Sequence, residues 1–552
     1  MIDCGLRSLI PISLISIKNC LIIGLKNIMS RFEGNIAGKH ITTYVPREGK
    51  RYSSEDIGRY LSKFKLCDAL HLIGKLSYEI FTSRQISIVI RNVRISNSVL
   101  AYLSMRLIER SNDYRHENMT LDNLSIAADM YLGLQDPLEI DGENGQGCLI
   151  RFGSFQLDYD REARHLLPRT LIIYEQLWNI PKNSSQVNIG AAIQSFSGLT
   201  LQEILLLSFF FSGKMQNGFF DLNENLDQYP ENVRHYFDIN KQKLFVEWLS
   251  CSYQEFRELS KKNMPSEVKY EKFRFNPLHT KPIIIPDRNP RPTLPQVYIA
   301  PIPTLIYEKV TTGLYFSLAD HFFQNGKKNP FRGCFGDVFQ EYVGLLLKKT
   351  FGEDNVKHEW NYGTKQNTKD TPDWFVIQNG SAVLIEVKQS GLYLTAKQWG
   401  DIEDIHKDLK QTIGAGVNQM WKFERDMEDG SCSVPDWFNT VSITERLVIT
   451  YDRSYFLNSI LRNEVINLYP SIPTTYHWHT IAVEELEYFL GIFGTKSIES
   501  LTEKRLDPEL DKMDFRDYYS RKCSKDDCNN PYLDSIYDKY FSELGLPIKS
   551  QK

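Results

Sequence analysis

Apolar residues recur at helical spacing through most of the first half of this chain. Between residues 52 and 262 the segment SSEDIGRYLSKF opens with a capping signal, Ser53 with Asp56 three residues on. TLQEILLLSFFF repeats the device with Thr200 and Glu203, and its apolar run, too short to cross a bilayer, predicts a buried helix. LFVEWLSCSYQEFRELSKK continues the pattern. No catalytic constellation emerges here. The helices are expected to form a recognition, regulatory or oligomerisation module.

The pattern breaks at residues 276–303, NPLHTKPIIIPDRNPRPTLPQVYIAPIP. Proline removes a backbone donor and is excluded from helix interiors, so this stretch predicts an extended connection and a domain boundary. Beyond it helices and strands alternate. FGDVFQEYVGLLLKKTFG places Phe335, Val338, Phe339, Tyr342, Val343, Leu346 and Leu347 at helical spacing, with Gly352 as the stop. NVKHEWNYG and TERLVITYD predict strands, a polar helical region runs through Gln419, and TIAVEELEYFLGIF predicts a strand end followed by a helix. Interleaved strands and helices argue an α/β sheet with helices on its faces. The expected organisation is an uncertain apolar extension (1–28), a mainly α N-terminal domain (29–275), the proline-rich linker (276–303), an α/β domain (304–499) and a mixed-charge, Tyr-rich tail (500–552).

Within the α/β part, TPDWFVIQNGSAVLIEVKQS (371–390) predicts a β-hairpin, because Asn-Gly between strand-like runs is a strong turn signal. With Asn379-Gly380 as the turn, Gln378 pairs with Ser381 and Asp373 falls opposite Glu386. Opposed residues share a face, with Cβ atoms roughly 5 Å apart, and Lys388 shares that face two residues on. Val383, Ile385 and Val387 then point to the core. Opposed carboxylates repel unless something neutralises them. A divalent cation answers best: hard oxygens suit Mg²⁺ or Mn²⁺, and an adjacent ammonium can orient water or steady charge on a phosphate. The competing reading is a surface hairpin whose polar face simply carries these three side chains.

Composition narrows the partners. The 552-residue chain has a net charge of −4, so any nucleic-acid contact must come from a local basic groove. Nine scattered cysteines, an odd number without framework spacing, fit a reducing, cytoplasmic setting. Only Cys523 and Cys528 lie close together, with no further ligand pair near them for zinc. The apolar stretch 8–25 is interrupted by Pro11, Lys18 and Asn19, and Met29 opens an ordinary beginning, so no membrane association is expected. No phosphate-binding G-x-x-x-x-G-K-[ST] loop is present.

Pro372-Asp373, twelve residues, then Glu386-Val387-Lys388 resembles the PD-(D/E)XK nuclease superfamily. The resemblance covers about residues 304–494 and not the N-terminal half. It implies a restriction-endonuclease-like mixed sheet flanked by helices and metal-dependent hydrolysis of phosphodiester bonds, most of all in DNA. Asp373, Glu386 and the backbone carbonyl of Val387 would bind Mg²⁺ or Mn²⁺, and Glu341 on the preceding helix would complete the metal site. Lys388 would position or activate water. Gln419 would support Lys388 or a phosphate, although Phe423 stands where a Tyr is usual and Gln411 competes for the role. Chains that join such a domain to an unfamiliar module resemble restriction or phage-defence proteins. A catalytically silent nucleic-acid-binding or partner-dependent scaffold of the same fold is the alternative. A homo-oligomer or a partner protein would engage the N-terminal domain.

Other residues carry weaker signals. Asp337 lies one turn before Glu341 on the same predicted helix face. Lys397, Lys407, Lys410 and Lys422, with Trp399 and Trp421 among them, predict either a nucleic-acid groove or a solvated helix face. His477 and His479 alternate along a predicted strand, and without a third ligand they read as structural or surface residues.

Overall fold

A computed structural model of the chain describes residues 31–546 except 37–38, 45–49, 84, 86, 135–162, 179–186, 223–224, 228, 266, 290–295, 392, 400, 453–457, 512 and 524–528. The apolar stretch 8–25, Cys4, Cys20, Cys148 and Cys528 therefore lie outside the described residues.

Among the described residues the first half is mainly helical, as its periodicity predicts. Helices α1 (Ser54–Leu61), α2 (Leu66–Thr82), α3 (Asn97–Arg110) and α4 (Leu121–Leu132) pack around one core that includes Leu70, Ile73, Leu100, Leu103 and Leu124. Ser53 and Asp56 close a reciprocal cap on α1. Further helices, α5 (Ala163–Leu171), α6 (Leu201–Lys214) and α7 (Ile239–Leu249), belong to a second core. Thr200 and Glu203 cap α6 in the same reciprocal way. A short strand β1 (Ser250–Ser252) and helix α8 (Tyr253–Lys262) return the chain to the first core through Tyr253 and Phe256.

The proline-rich stretch differs from expectation. Its described parts, 276–289 and 296–303, are packed: Ile283–Ile285 forms strand β2, extended as expected but paired in parallel with β1. Ile283, Ile284, Val297, Ile299, Ala300 and Ile302 are all fully buried. Ile284, Ile299 and Ile302 join the first core, while Ile283 and Ala300 join the second. The prolines forbid helix but leave the intervening β-branched residues free to extend and bury, so the segment becomes a seam between two cores.

Helix α9 (Pro330–Phe351) then leads into the sheet, ending at Gly352 with φ +86°. Five strands follow: β3 (Val356–His358), β4 (Trp374–Gln378), β5 (Ser381–Lys388), β6 (Ser442–Thr450) and β7 (His479–Ala482). Helices α10 (Ile402–Gln411) and α11 (Ile413–Glu428) lie between β5 and β6. The sheet is mixed and runs β7-β6-β5-β4-β3, with β4 antiparallel to both its neighbours and β5, β6 and β7 parallel. NVKHEWNYG is not one strand. It divides at Glu359 and Trp360 because Glu359 N donates to Asp373 O and Trp360 N donates to Thr371 Oγ1, turning the chain into a separate two-stranded ribbon, 361–370.

The sheet is covered on both faces. Val356, Trp374, Val383, Ile385, Leu447 and Ile449 face the second core, which α5, α6 and α9 also fill. Phe375, Leu384 and Val448 face a third core built with Leu409, Val417, Met420 and Phe423 from α10 and α11. Beyond β7 come α12 (Val483–Phe493), α13 (Ser497–Leu506), α14 (Phe515–Lys522) and α15 (Pro531–Glu543). These tail helices bury Phe515, Tyr518 and Leu533 in the second core. Among the described residues no single helix is long and apolar enough to cross a membrane. One bent pair, Ile189–Ser197 with Leu201–Asn217, passes on length and composition alone, and it carries Ile193, Leu205 and Phe211 of the second core.

Candidate functional site

The hairpin forms in the predicted register. Gln378 pairs with Ser381 and the ladder runs to Trp374 opposite Ile385. Asn379 and Gly380 both adopt positive φ, +50° and +76°, the conformation of a two-residue turn that matches strand twist. Asp373 immediately precedes β4 and so falls opposite Glu386. The surface-hairpin reading does not hold. On its far edge β5 pairs with β6, Glu386 beside Val448 and Lys388 beside Thr450, and α11 covers the face. Glu386 is 1% exposed.

Each side chain is held in place. Asp373 Oδ2 accepts from the amide of Val387 at 2.6 Å, and its Oδ1 accepts from Gln340 Nε2 at 3.1 Å. Within a strand the N–H and C=O of one residue point the same way, so the Val387 carbonyl also faces the Asp373 side. Lys388 Nζ donates to Glu386 Oε1 at 2.5 Å. Glu386 Oε2 is buried and has no hydrogen-bond partner.

Electrostatics mark this cluster. Burial pushes the Asp373 carboxyl up to about 6, opposed by Lys388 and the Val387 amide. Burial, then repulsion from Asp373, pushes Glu386 up to about 8. Lys388 is raised despite its burial, because Glu386 and Asp373 stabilise the ammonium. The sequence reading missed Glu359, which adds negative potential at all three residues.

The preceding helix contributes through a neighbour of the expected residue. Gln340 touches Asp373, and the same Nε2 donates to Glu359 Oε1 at 3.0 Å. Glu341 instead pairs with His358 Nε2 at 3.6 Å, toward the end of β3. Asp337, one turn earlier, is half-buried like Glu341. Gln419 on α11 donates to the carbonyl of Thr371 at 3.0 Å, so it braces the approach to Asp373. Gln411, its competitor, is exposed at the end of α10. Phe423 is fully buried against Trp360, Phe375 and Phe438, which gives an apolar side chain a role at that position.

A glycine sets how closely α11 approaches. A Cβ on Gly416 would stand 2.8 Å from Glu386 Cγ and 3.3 Å from Lys388 Cε. No motif reading could single it out, because its role depends on a strand about thirty residues away. The basic residues on these helices diverge: Lys397 is buried on Asp452, while Lys407, Lys410 and Lys422 are exposed. His477 and His479 both approach Glu445 on β6, a third side chain of ligand type that the sequence did not place beside them.

Comparison with protein-family models, curated proteins and solved structures finds no match.

Proposed function

We propose that this protein is a divalent-metal-dependent nuclease of the PD-(D/E)XK kind, hydrolysing phosphodiester bonds of DNA, with the 371–390 hairpin as its centre. The observation that carries this reading is the buried Glu386 carboxylate. It faces Asp373 across the ladder, beside the Lys388 ammonium, and leaves one oxygen without a hydrogen-bond partner. An unsatisfied buried carboxylate oxygen near a second carboxylate is costly without a cation. The donor set fits the group: oxygens from Asp373, Glu386 and the Val387 carbonyl suit Mg²⁺ or Mn²⁺. When bound, such an ion supplies Lewis-acid charge at the phosphate and lowers the pKa of a coordinated water.

The chain's own residues do the rest. Gln340 and the Val387 amide fix the Asp373 carboxylate. Lys388 keeps its proton and offers it as a hydrogen-bond donor to a water or to a non-bridging phosphate oxygen. Gln419 holds the Thr371 carbonyl and with it the turn into Pro372-Asp373. The mixed five-stranded sheet with helices on both faces supports a restriction-endonuclease-like fold. A role in restriction or phage defence follows the same analogy.

The test is cleavage of circular and linear DNA with Mg²⁺, with Mn²⁺ and with EDTA, comparing the intact chain with Asp373→Ala and Lys388→Ala. Metal-dependent cutting is expected, reduced about 10²–10³-fold or more in each variant, the scale on which removing one preorganised electrostatic group acts. Equal cutting by all three proteins would refute the assignment, and the circular substrate distinguishes endonuclease from exonuclease action.

A further inference from the structure

At the β7 edge of the sheet lies a second cluster of ligand-type side chains. Glu445 is on β6, His479 opens β7, and His477 precedes it by two residues. Leu447 pairs with His479 in the parallel ladder, so two residues earlier on each chain Glu445 and His477 fall at corresponding positions. One ligand atom from each of the three residues lies within 4.8 Å of the others. The imidazoles of His477 and His479 meet with ring centroids 4.7 Å apart.

These side chains are buried yet unsatisfied. His479 is 0% exposed and Glu445 1%. Neither ring nitrogen of His479 has a hydrogen-bond partner, nor do Glu445 Oε2 and His477 Nδ1. A fully buried imidazole with both nitrogens unpaired is rare, because a buried polar atom without a partner loses its hydration and gains nothing in return. The remaining atoms are engaged as they would be around an ion. Asp511 Oδ1 lies 3.0 Å from His477 Nε2, which leaves Nδ1 as the ligand atom. A carboxylate on the distal nitrogen is the usual partner of a metal-bound histidine. Glu445 Oε1 accepts from Thr502 at 2.8 Å and from Arg505 at 3.0 Å, which leaves Oε2.

We propose that Glu445, His477 and His479 bind one transition-metal ion of the zinc class, and that this ion fastens the C-terminal helices to the sheet edge. Two imidazoles and one carboxylate select zinc, cobalt or nickel over magnesium. Metal–ligand bonds of about 2.0–2.2 Å at tetrahedral angles put ligand atoms roughly 3.3–3.5 Å apart, so a small side-chain contraction closes the site. Its surroundings explain a structural role. Thr502 and Arg505 come from α13, and Asp511 from the short turn Pro508–Asp511 that follows it. Phe515, which opens α14, stacks edge-on against His479 at 5.7 Å. Cations surround the cluster, but each has its own partner: Arg462 lies bidentate on Asp511, Lys504 on the carbonyls of Leu510 and Asp511, and Arg505 on Glu445 Oε1.

The experiment uses the full chain carrying Asp373→Ala, so that the hairpin does not contribute, stripped of metal and titrated with Co²⁺ and then Zn²⁺. A single equivalent of Co²⁺ with the visible absorption of a four-coordinate site, displaced by Zn²⁺, is expected. Adding Glu445→Gln or His477→Ala should weaken Zn²⁺ binding at least 100-fold, and Asp511→Asn about 10–100-fold. Circular dichroism establishes that these variants remain folded; if His477→Ala does not fold, Glu445→Gln, which keeps its shape, decides alone. No stoichiometric Co²⁺ or Zn²⁺ binding, or binding unchanged by Glu445→Gln in a folded chain, overturns the proposal.

Discussion

Glu386 sits under a conflict that each residue around it helps to define. Burial and Asp373 raise its pKa, while Lys388 pulls it back. The consequence for stability can be signed. A carboxyl whose folded pKa lies above its unfolded value binds more protons in the native state. In metal-free protein, stability therefore falls as pH rises, from the unfolded carboxyl values near 4 through about 6 for Asp373 and about 8 for Glu386. Glu386→Gln, which removes the ionisation and keeps the shape, is expected to raise the melting temperature in EDTA at pH 8 and to change it little at pH 4. Thermal scans at the two pH values check this, and an equal shift at both would show that charge is not the cause. Under the proposed function, Mg²⁺ or Mn²⁺ should have the reverse pH dependence, stabilising the intact chain more at pH 8, where Asp373 and Glu386 lose their protons. At the same scale, Gln340→Leu would strip Asp373 of one donor and leave Glu359 without its amide link. If the proposed chemistry holds, cleavage should fall about tenfold or more, with the metal concentration for half-maximal activity raised, because outer-shell partners of this kind carry effects of that size.

Between elements, two glycines govern the distances that matter. Gly344 on α9 lies against the Trp374 ring, where a Cβ would come within 2.1 Å of it, so helix and strand cannot keep their spacing with any other residue. Trp374 is also fixed there by its indole N–H, which donates to Gln340 O at 3.0 Å, tying the helix that carries Gln340 to the strand that follows Asp373. Gly344→Ala is expected to destabilise the protein by about 1–3 kcal/mol or more through overpacking, measured by urea unfolding. Gly416→Ala tests a different thing. Its Cβ would press on Glu386 and Lys388, so under the proposed function metal affinity and cleavage should suffer more than stability does. A variant with full activity would show that α11 yields there.

Across the whole molecule, α5, α6 and α7 of the helical half share the second core with the α/β half. Arg169 on α5 donates to both carboxylate oxygens of Glu487 on α12 at 2.6 Å, and Tyr342 on α9 donates to Glu487 Oε1 at 2.7 Å. All three are buried. Arg169→Met keeps the volume but strands the Glu487 charge, so a loss of about 3–5 kcal/mol is expected from denaturant unfolding. Arg169→Met combined with Glu487→Leu should recover most of it, since an apolar pair of similar size is often neutral.

Much of this protein is written in short-range pattern. The two strand-like runs of 371–388 with Asn379-Gly380 between them determine the hairpin register, because side-chain direction in a strand has a period of two and a two-residue turn admits a single pairing. That places Asp373 opposite Glu386 without reference to anything else. Ser53 with Asp56, and Thr200 with Glu203, set helix starts for the same local reason. The proline-rich stretch shows where such reasoning stops: its sequence excludes helix but cannot say whether extended chain lies in solvent or in a core. Only the tertiary structure decided that β6 would flank β5 and bury Glu386, that Gln340 and Glu359 would meet Asp373, that Gly416 would bring α11 onto the site, and that Glu445 would stand beside His477 and His479. Those partners are joined by packing between elements set apart in the chain, and no periodicity encodes which faces will meet.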